Sequence, residues 1–204
     1  AGMNAALSLA DQGFSTVLVE KEAELGGFGR HLHHTIEGAD IQDYLRKLRG
    51  RVTSHAKIEV LTGSAVSGFA GFKGNFTTDV LVGPEKKARQ INHGAVILAT
   101  GAHEIRPTEY LYGEDERVMT QVELSQRLSR KDLGDPKQVV MIQCVGSRNA
   151  ENPNCSRVCC QTAVKNALHI KEQYPEADVY VLYRDIRTYG LLEHFYTEAR
   201  RRGV

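Results

Sequence analysis

The sequence predicts an α/β protein assembled from two nucleotide-binding-type βαβ units. Three observations predict it. The runs "STVLVE" and "KQVVMI" are continuously apolar, as parallel strands covered on both faces are. Each sits beside a helical pattern with apolar residues along one face. The first run ends in an acid, Glu20, a position where such units hold a ribose hydroxyl. Composition is that of an ordinary globular chain, 41% hydrophobic and 25% charged. A net charge of +1 gives no electrostatic case for nucleic acid or a membrane surface. No run of about 18 apolar residues occurs, so no spanning helix is expected, and no secretory signal is visible.

The elements follow in order. "AGMNAALSLADQGF" reads as a helix with Ala5, Ala6, Leu9 and Ala10 on one face and Leu7 beside them, stopped at Gln12-Gly13. The dinucleotide fingerprint G-x-G-x-x-G opens a helix and is followed by an acid about 20 residues on. Gly2 fits its last glycine and Glu20 its acid, while the preceding strand and first two glycines are absent. The chain opens within a pattern, without Met, and ends at "RRRGV" where another strand should start, so an excerpt of a larger polypeptide or a shorter branch is expected. Alone, the half-motif also admits a helix-start glycine and an exposed strand-end acid. Gly26-Gly27 then forms a loop where backbone can approach a ligand. "DIQDYLRKLRG" reads as helix, "IEVLTGSAV" as strand, and "GNFTTDVLVG" with "ARQINHGAVILATG" as a small meander over about 66–92. The last apolar strand ends in Ala99-Thr100-Gly101. His31, His33 and His34 do not form an i, i+4 pair and read as loop histidines beside cofactor or solvent rather than metal ligands.

After a connector, "TQVELSQRLS" reads as a helix capped near Thr120. The strand "KQVVMIQ" runs into Cys144-Val-Gly-Ser-Arg where a second phosphate-binding turn would place glycines. "CSRVCCQTAVKNALHIKEQYP" reads as a helix with Ala163, Ala167 and Ile170 on one face, and "ADVYVLYRD" as the next parallel strand. All four cysteines, Cys144, Cys155, Cys159 and Cys160, fall in this stretch. Their spacing has neither the paired knuckles of structural zinc nor a redox C-x-x-C. A four-thiolate site is expected, iron–sulfur before zinc, with four reduced core cysteines as the plainer alternative. Arg148, Arg157 and Lys165 are placed to offset thiolate charge. Asp185, without a glycine turn, reads as structural or interfacial. "LLEHFYTEARRRGV" reads as an amphipathic helix with Leu191, Phe195 and Ala199 on one side.

The order acid, E-x5-GG, A-T-G resembles the FAD half of Rossmann-like, two-dinucleotide-binding-domain flavoproteins such as thioredoxin reductase. More closely, "QCVGSRN", "NCSRVCCQTAVKNAL", "VYVLYRDIRTYG", "LVEKEAELGG", "HLHHTIEG" and "PTEYLYGED" resemble the heterodisulfide reductase A-type flavoprotein family and the related flavin subunits of quinone-interacting membrane-bound oxidoreductases. That resemblance implies an FAD-binding domain over 1–106, a connector over 107–136 and a partial second Rossmann-like domain over 137–204. It implies FAD with Glu20 on the adenosine ribose and Gly2 near the pyrophosphate. Ala1, Lys21, Gly26, Gly27, Arg30, His31, Thr100 and Gly101 complete the implied cofactor contacts. It further implies a [4Fe–4S] cluster on the four cysteines close to the FAD, and Lys165 beside the flavin ring as the catalytic cation. Full-length forms of the family carry a ferredoxin-like insertion before the A-T-G strand, and none stands here. The implied protein is a cytoplasmic oxidoreductase that transfers electrons, as in flavin-based bifurcation, within a complex containing B- and C-type subunits and a hydrogenase- or dehydrogenase-linked donor, and homo-oligomeric within it. The competing readings are an NAD(P)H-dependent flavin disulfide reductase using a cysteine pair, and a non-catalytic scaffold with structural zinc.

Overall fold

A computed structural model describes residues 1–204, which form two compact units. One comprises Ala1–Arg30 with Gln42–His103, the other His31–Ile41 with Glu104–Val204.

The first unit begins with α1 (Gly2–Asp11), whose buried face is Ala6, Leu7 and Ala10. Gly13, at φ 98°, ends the helix in a conformation that favours glycine. The strand β1 (Thr16–Val19) pairs in parallel with β2 (Ile58–Leu61), from Thr16 opposite Ile58 to Val19 opposite Leu61. Between them run a 3₁₀ turn over Gly27–His31 and α2 (Ile41–Ser54). Leu45, Leu48 and Val52 recur at helical spacing on the buried side of α2. Val52 and Leu48 pack with Ala6, Leu7, Ala10, Leu25 and Ile58 into one core. Three antiparallel strands follow: β3 (Ala65–Phe72), β4 (Asn75–Val82) and β5 (Lys87–His93), in the order β3-β4-β5.

One expected strand is absent. Residues 95–100, the apolar run into Ala99-Thr100-Gly101, form no ladder, and Val96, Ile97 and Leu98 are exposed. An apolar run becomes a strand only when a neighbour takes up its N–H and C=O groups. The parallel sheet of this unit has two strands, and both are paired with each other.

In the second unit, α3 (Gln121–Arg130) starts at Thr120 as expected. A capping box closes it: the Thr120 hydroxyl accepts from the Glu123 N–H, and the Glu123 carboxylate accepts from the Thr120 N–H. The βαβ frame is retained. β6 (Gln138–Ile142) leads through α4 (Cys159–Gln173) to β7 (Asp178–Leu182), which pairs with β6 in parallel. Ala163, Ala167 and Ile170 of α4 are fully buried and pack with Leu124, Leu128, Met141, Ala177 and Val179. Two expectations change. The helix starts at Cys159, so Cys155 lies outside it in irregular chain. β6 and β7 are covered on one face only: Met141 and Val179 are buried, while Val140, Ile142, Tyr180 and Leu182 are exposed. The final helix, α5 (Glu193–Arg201), buries Ala199. Leu191 falls in the 3₁₀ turn before it and is 91% exposed, so it does not share the apolar face expected of it.

Candidate cofactor and thiol sites

In the first unit Ala1 and Gly2 open α1, Glu20 and Lys21 follow β1, Gly26, Gly27 and Arg30 lie in the turn after it, and Thr100 and Gly101 end the unpaired run; His31 belongs to the second unit. A Cβ on Gly2 would lie 3.4 Å from the Ala99 Cβ and 3.5 Å from a Leu18 methyl, so the missing side chain lets the helix start close over the strand. Ala1 is the N-cap of α1, and no side chain caps the helix and no acid stands in its first turn. Glu20 follows β1 directly, and its carboxylate accepts from the Glu22 N–H at 3.0 Å. Lys21 is exposed beside Glu22. Gly26, at φ 122°, turns the chain into the 3₁₀ turn, where Arg30 Nε donates to the Gly27 carbonyl at 3.3 Å. A Cβ on Gly27 or Gly101 would meet nothing within 4 Å. Thr100 is exposed in the unpaired run before Gly101, and His31 is exposed at the end of the 3₁₀ turn. A glycine at the start of α1, where a Cβ would just touch Ala99 and Leu18, and open space at two further glycines fit a dinucleotide. Sequence reasoning missed Gln42, whose side-chain amide donates to the carbonyls of Gly29 and Arg30 and ties the glycine loop to α2. A glutamine one residue into a helix carries no local signal for that task.

In the second unit the thiols follow β6. The backbone is left-handed at three non-glycine residues of this loop, Cys144 (φ 62°), Arg148 (φ 56°) and Arg157 (φ 64°). Such conformations cost about 1–3 kcal/mol each and concentrate where function needs them. All four cysteines are free thiols. Arg148 donates to Cys144 Sγ at 3.8 Å and pairs with Asp185, which also pairs with Arg187. Those two guanidiniums, Arg148 first, hold the Asp185 carboxyl below the usual range. Asp185 is thus a strut of the thiol loop, as the sequence suggested. The Arg157 N–H, rather than its guanidinium, donates to Cys155 Sγ at 3.3 Å, and Ser156 Oγ donates to Cys159 Sγ at 3.5 Å. Cys160 is buried, and its thiol approaches the Asp185 carbonyl at 3.7 Å. Burial chiefly, with Cys159 and Cys144 adding to it, pushes the Cys160 thiol up.

Three sulfurs, Cys144, Cys159 and Cys160, are thus electrostatic neighbours, whereas Cys155 stands on the irregular stretch before α4. No three His, Cys, Asp or Glu side chains are drawn together tightly enough to hold a metal ion. Four free thiols, with Arg148 against one of them, are donors of the type iron–sulfur clusters take, but they are not drawn together here. Lys165 is not among them. It is 6% exposed, and its amine donates to the His34 carbonyl at 3.2 Å and Ser125 Oγ at 3.4 Å. Burial pulls its pKa down.

An α/β fold with a dinucleotide-type helix start and a thiol-bearing βαβ unit defines a flavin-dependent oxidoreductase class. The family model for pyridine nucleotide-disulphide oxidoreductases matches residues 1–143, and the chain belongs to that family. It is similar to the A-type subunits of heterodisulfide reductases. That of the ferredoxin:CoB-CoM heterodisulfide reductase of Methanosarcina acetivorans is 27% identical over 100% of this chain and 41% of its own length. The A-type iron-sulfur polypeptide of the CoB–CoM heterodisulfide reductase of Methanocaldococcus jannaschii is 28% identical over 98% of this chain and 44% of its own. Its counterpart in the H2/formate:CoB-CoM heterodisulfide,ferredoxin reductase of Methanococcus maripaludis gives the same 28%, 98% and 44%. The chain therefore spans less than half the length of these relatives. The crystal structure of L-proline dehydrogenase from P. horikoshii shares the fold, with a TM-score of 0.51 at 18% identity over 94% of this chain and 35% of that one. The resemblance seen in the sequence is borne out, and the family supports a flavin cofactor and a role in electron transfer. No helix is long and apolar enough to cross a membrane.

Proposed function

We propose that the chain is the flavin-binding core of an electron-transfer component in a heterodisulfide-reductase-like complex. FAD is assigned to Gly2, Glu20, Gly26, Gly27, Arg30, Thr100 and Gly101, with Ala1, Lys21 and His31 at its margin. A [4Fe–4S] cluster is assigned to Cys144, Cys155, Cys159 and Cys160. When bound, FAD supplies two-electron and the cluster one-electron redox chemistry. The observation that carries the reading is the placement of all four free thiols between β6 and the first turn of α4, where a second phosphate-binding turn would otherwise sit.

This chain's own residues have definite tasks. The uncapped start of α1 receives an anion, and Glu20 accepts from a sugar hydroxyl. Arg148 places a cation against Cys144 and is itself fixed by Asp185. Ligation by all four thiols requires the loop after β6 and the stretch before α4 to draw the sulfurs closer together than they stand, Cys155 among them. Lys165, a buried amine with neutral partners, is a candidate proton donor or flavin-side cation. B- and C-type partner subunits, a hydrogenase- or dehydrogenase-linked donor, bifurcation and a cytoplasmic site are proposed on the sequence resemblance, and the relatives' names support a multi-subunit complex. The test is anaerobic purification with assay of FAD, iron, zinc and labile sulfide. FAD together with about four iron and four sulfide assignable to this region supports the reading. Zinc in place of iron, or a reducible disulfide without iron, contradicts it.

A further inference from the structure

The segment His31–Ile41 belongs to the second unit although the residues on either side of it belong to the first. It closes on itself. The Thr35 N–H donates to the Ala39 carbonyl at 3.0 Å, the Gly38 N–H to the Thr35 carbonyl at 3.1 Å, and the Ile41 N–H to the His33 carbonyl at 2.8 Å. It meets α4 in three ways. Lys165 Nζ donates to the His34 carbonyl, the His34 and His169 rings meet edge to face with centroids 6.1 Å apart, and Ile36 packs against the cluster formed by Val164 and Leu168 with Ala199.

The Lys165 amine has a carbonyl and a hydroxyl, and no carboxylate. The buried His34 Nδ1 has no hydrogen-bond partner. We propose that residues His31–Ile41 form an acid-released strap, held on α4 by the Lys165–His34 bond and the His34–His169 ring contact.

The charges around it fix the sign. His169 faces Glu172, His34 and Lys165; His33 faces His34, Arg130, Lys165 and Asp40. Burial first, then these cations, lowers the pKa of both His169 and His33, while Glu172 and Asp40 oppose the shift. A histidine whose docked value is lowered binds its proton more readily when released. Docking is therefore complete above the ordinary histidine value of about 6.5 and is lost as the pH falls through and below it. Release uncovers Lys165 and needs no bound flavin, so its failure is distinguishable from failure of the functional reading.

Hydrogen–deuterium exchange on the full-length protein, corrected for intrinsic rates, tests it at about pH 7.5 and about pH 5.5, on either side of the histidine range. Protection of the His31–Ile41 amides is expected to fall at least about tenfold at the lower pH, with β6 and β7 unchanged. The double variant His34→Gln/His169→Gln should abolish that pH dependence. Equal protection at both values, or an undiminished drop in the double variant, overturns the proposal. Should the double variant fail to fold, the wild-type His169 ring proton resonance decides: its titration must coincide with the loss of protection, and a separate midpoint overturns the strap.

Discussion

Helix α3 and helices α1 and α4 begin differently, and the difference separates structure from site. α3 is sealed by its own residues, through the reciprocal Thr120–Glu123 box. α1 and α4 have no side-chain cap, and no acid stands in the first turn of either. At α1 the opening is preceded by Ala1 and starts on Gly2, both small. At α4 it starts on Cys159 and Cys160, after a loop with three left-handed non-glycine residues. A sealed start stabilises a helix, whereas an open one leaves donors for something outside the chain. The same α/β frame thus opens one helix on small residues and the other on thiols, the two places where we propose a nucleotide and a metal cluster.

Four substitutions or labels sharpen that contrast. Ile170→Ala strikes the packed face of α4 rather than its thiol end, and should cost about 2–5 kcal/mol in chemical denaturation. Its iron content when folded should match wild type, and a selective loss of iron would merge the two faces. Gly2→Val crowds Ala99 and Leu18, an overpacking cost of about 1–3 kcal/mol that should weaken FAD binding roughly ten- to hundredfold by fluorescence titration. Iron should stay unchanged, and unaltered flavin affinity would remove α1 from the cofactor site. Thr120→Ala should lower stability by about 1 kcal/mol and touch neither cofactor. The smallest effect is kinetic: in metal-free protein alkylated across rising pH, Cys160 should be labelled last, because burial raises its thiol pKa. Peptide mass spectrometry showing Cys160 ahead of Cys144 would contradict the burial at the start of α4.

Local chemistry was legible in the sequence, and packing partners were not. The Thr120 cap, the α4 core face of Ala163, Ala167 and Ile170, and the β6–α4–β7 order all come from spacing and capping rules. The run ending in Ala99-Thr100-Gly101 has the composition of a covered strand, yet pairing is a property of its neighbours, and none bonds it. β6 and β7 read as covered on both faces because their residues are apolar on both, while helices cover one. Lys165 reads as a counter-charge for thiolates from its place little more than one turn beyond Cys160. The helix instead turns its amine toward Ser125 and a carbonyl brought from residue 34, a long-range contact that no local pattern encodes.

One βα junction is proposed to supply four thiolates to one iron–sulfur centre. The most direct measurement is iron and labile sulfide per chain in anaerobic wild-type protein against a variant with Cys144, Cys155, Cys159 and Cys160 all replaced by serine. A loss of about four iron and about four sulfide with FAD retained is expected. Identical iron and sulfide in the two proteins, or zinc as the only metal lost, would contradict it.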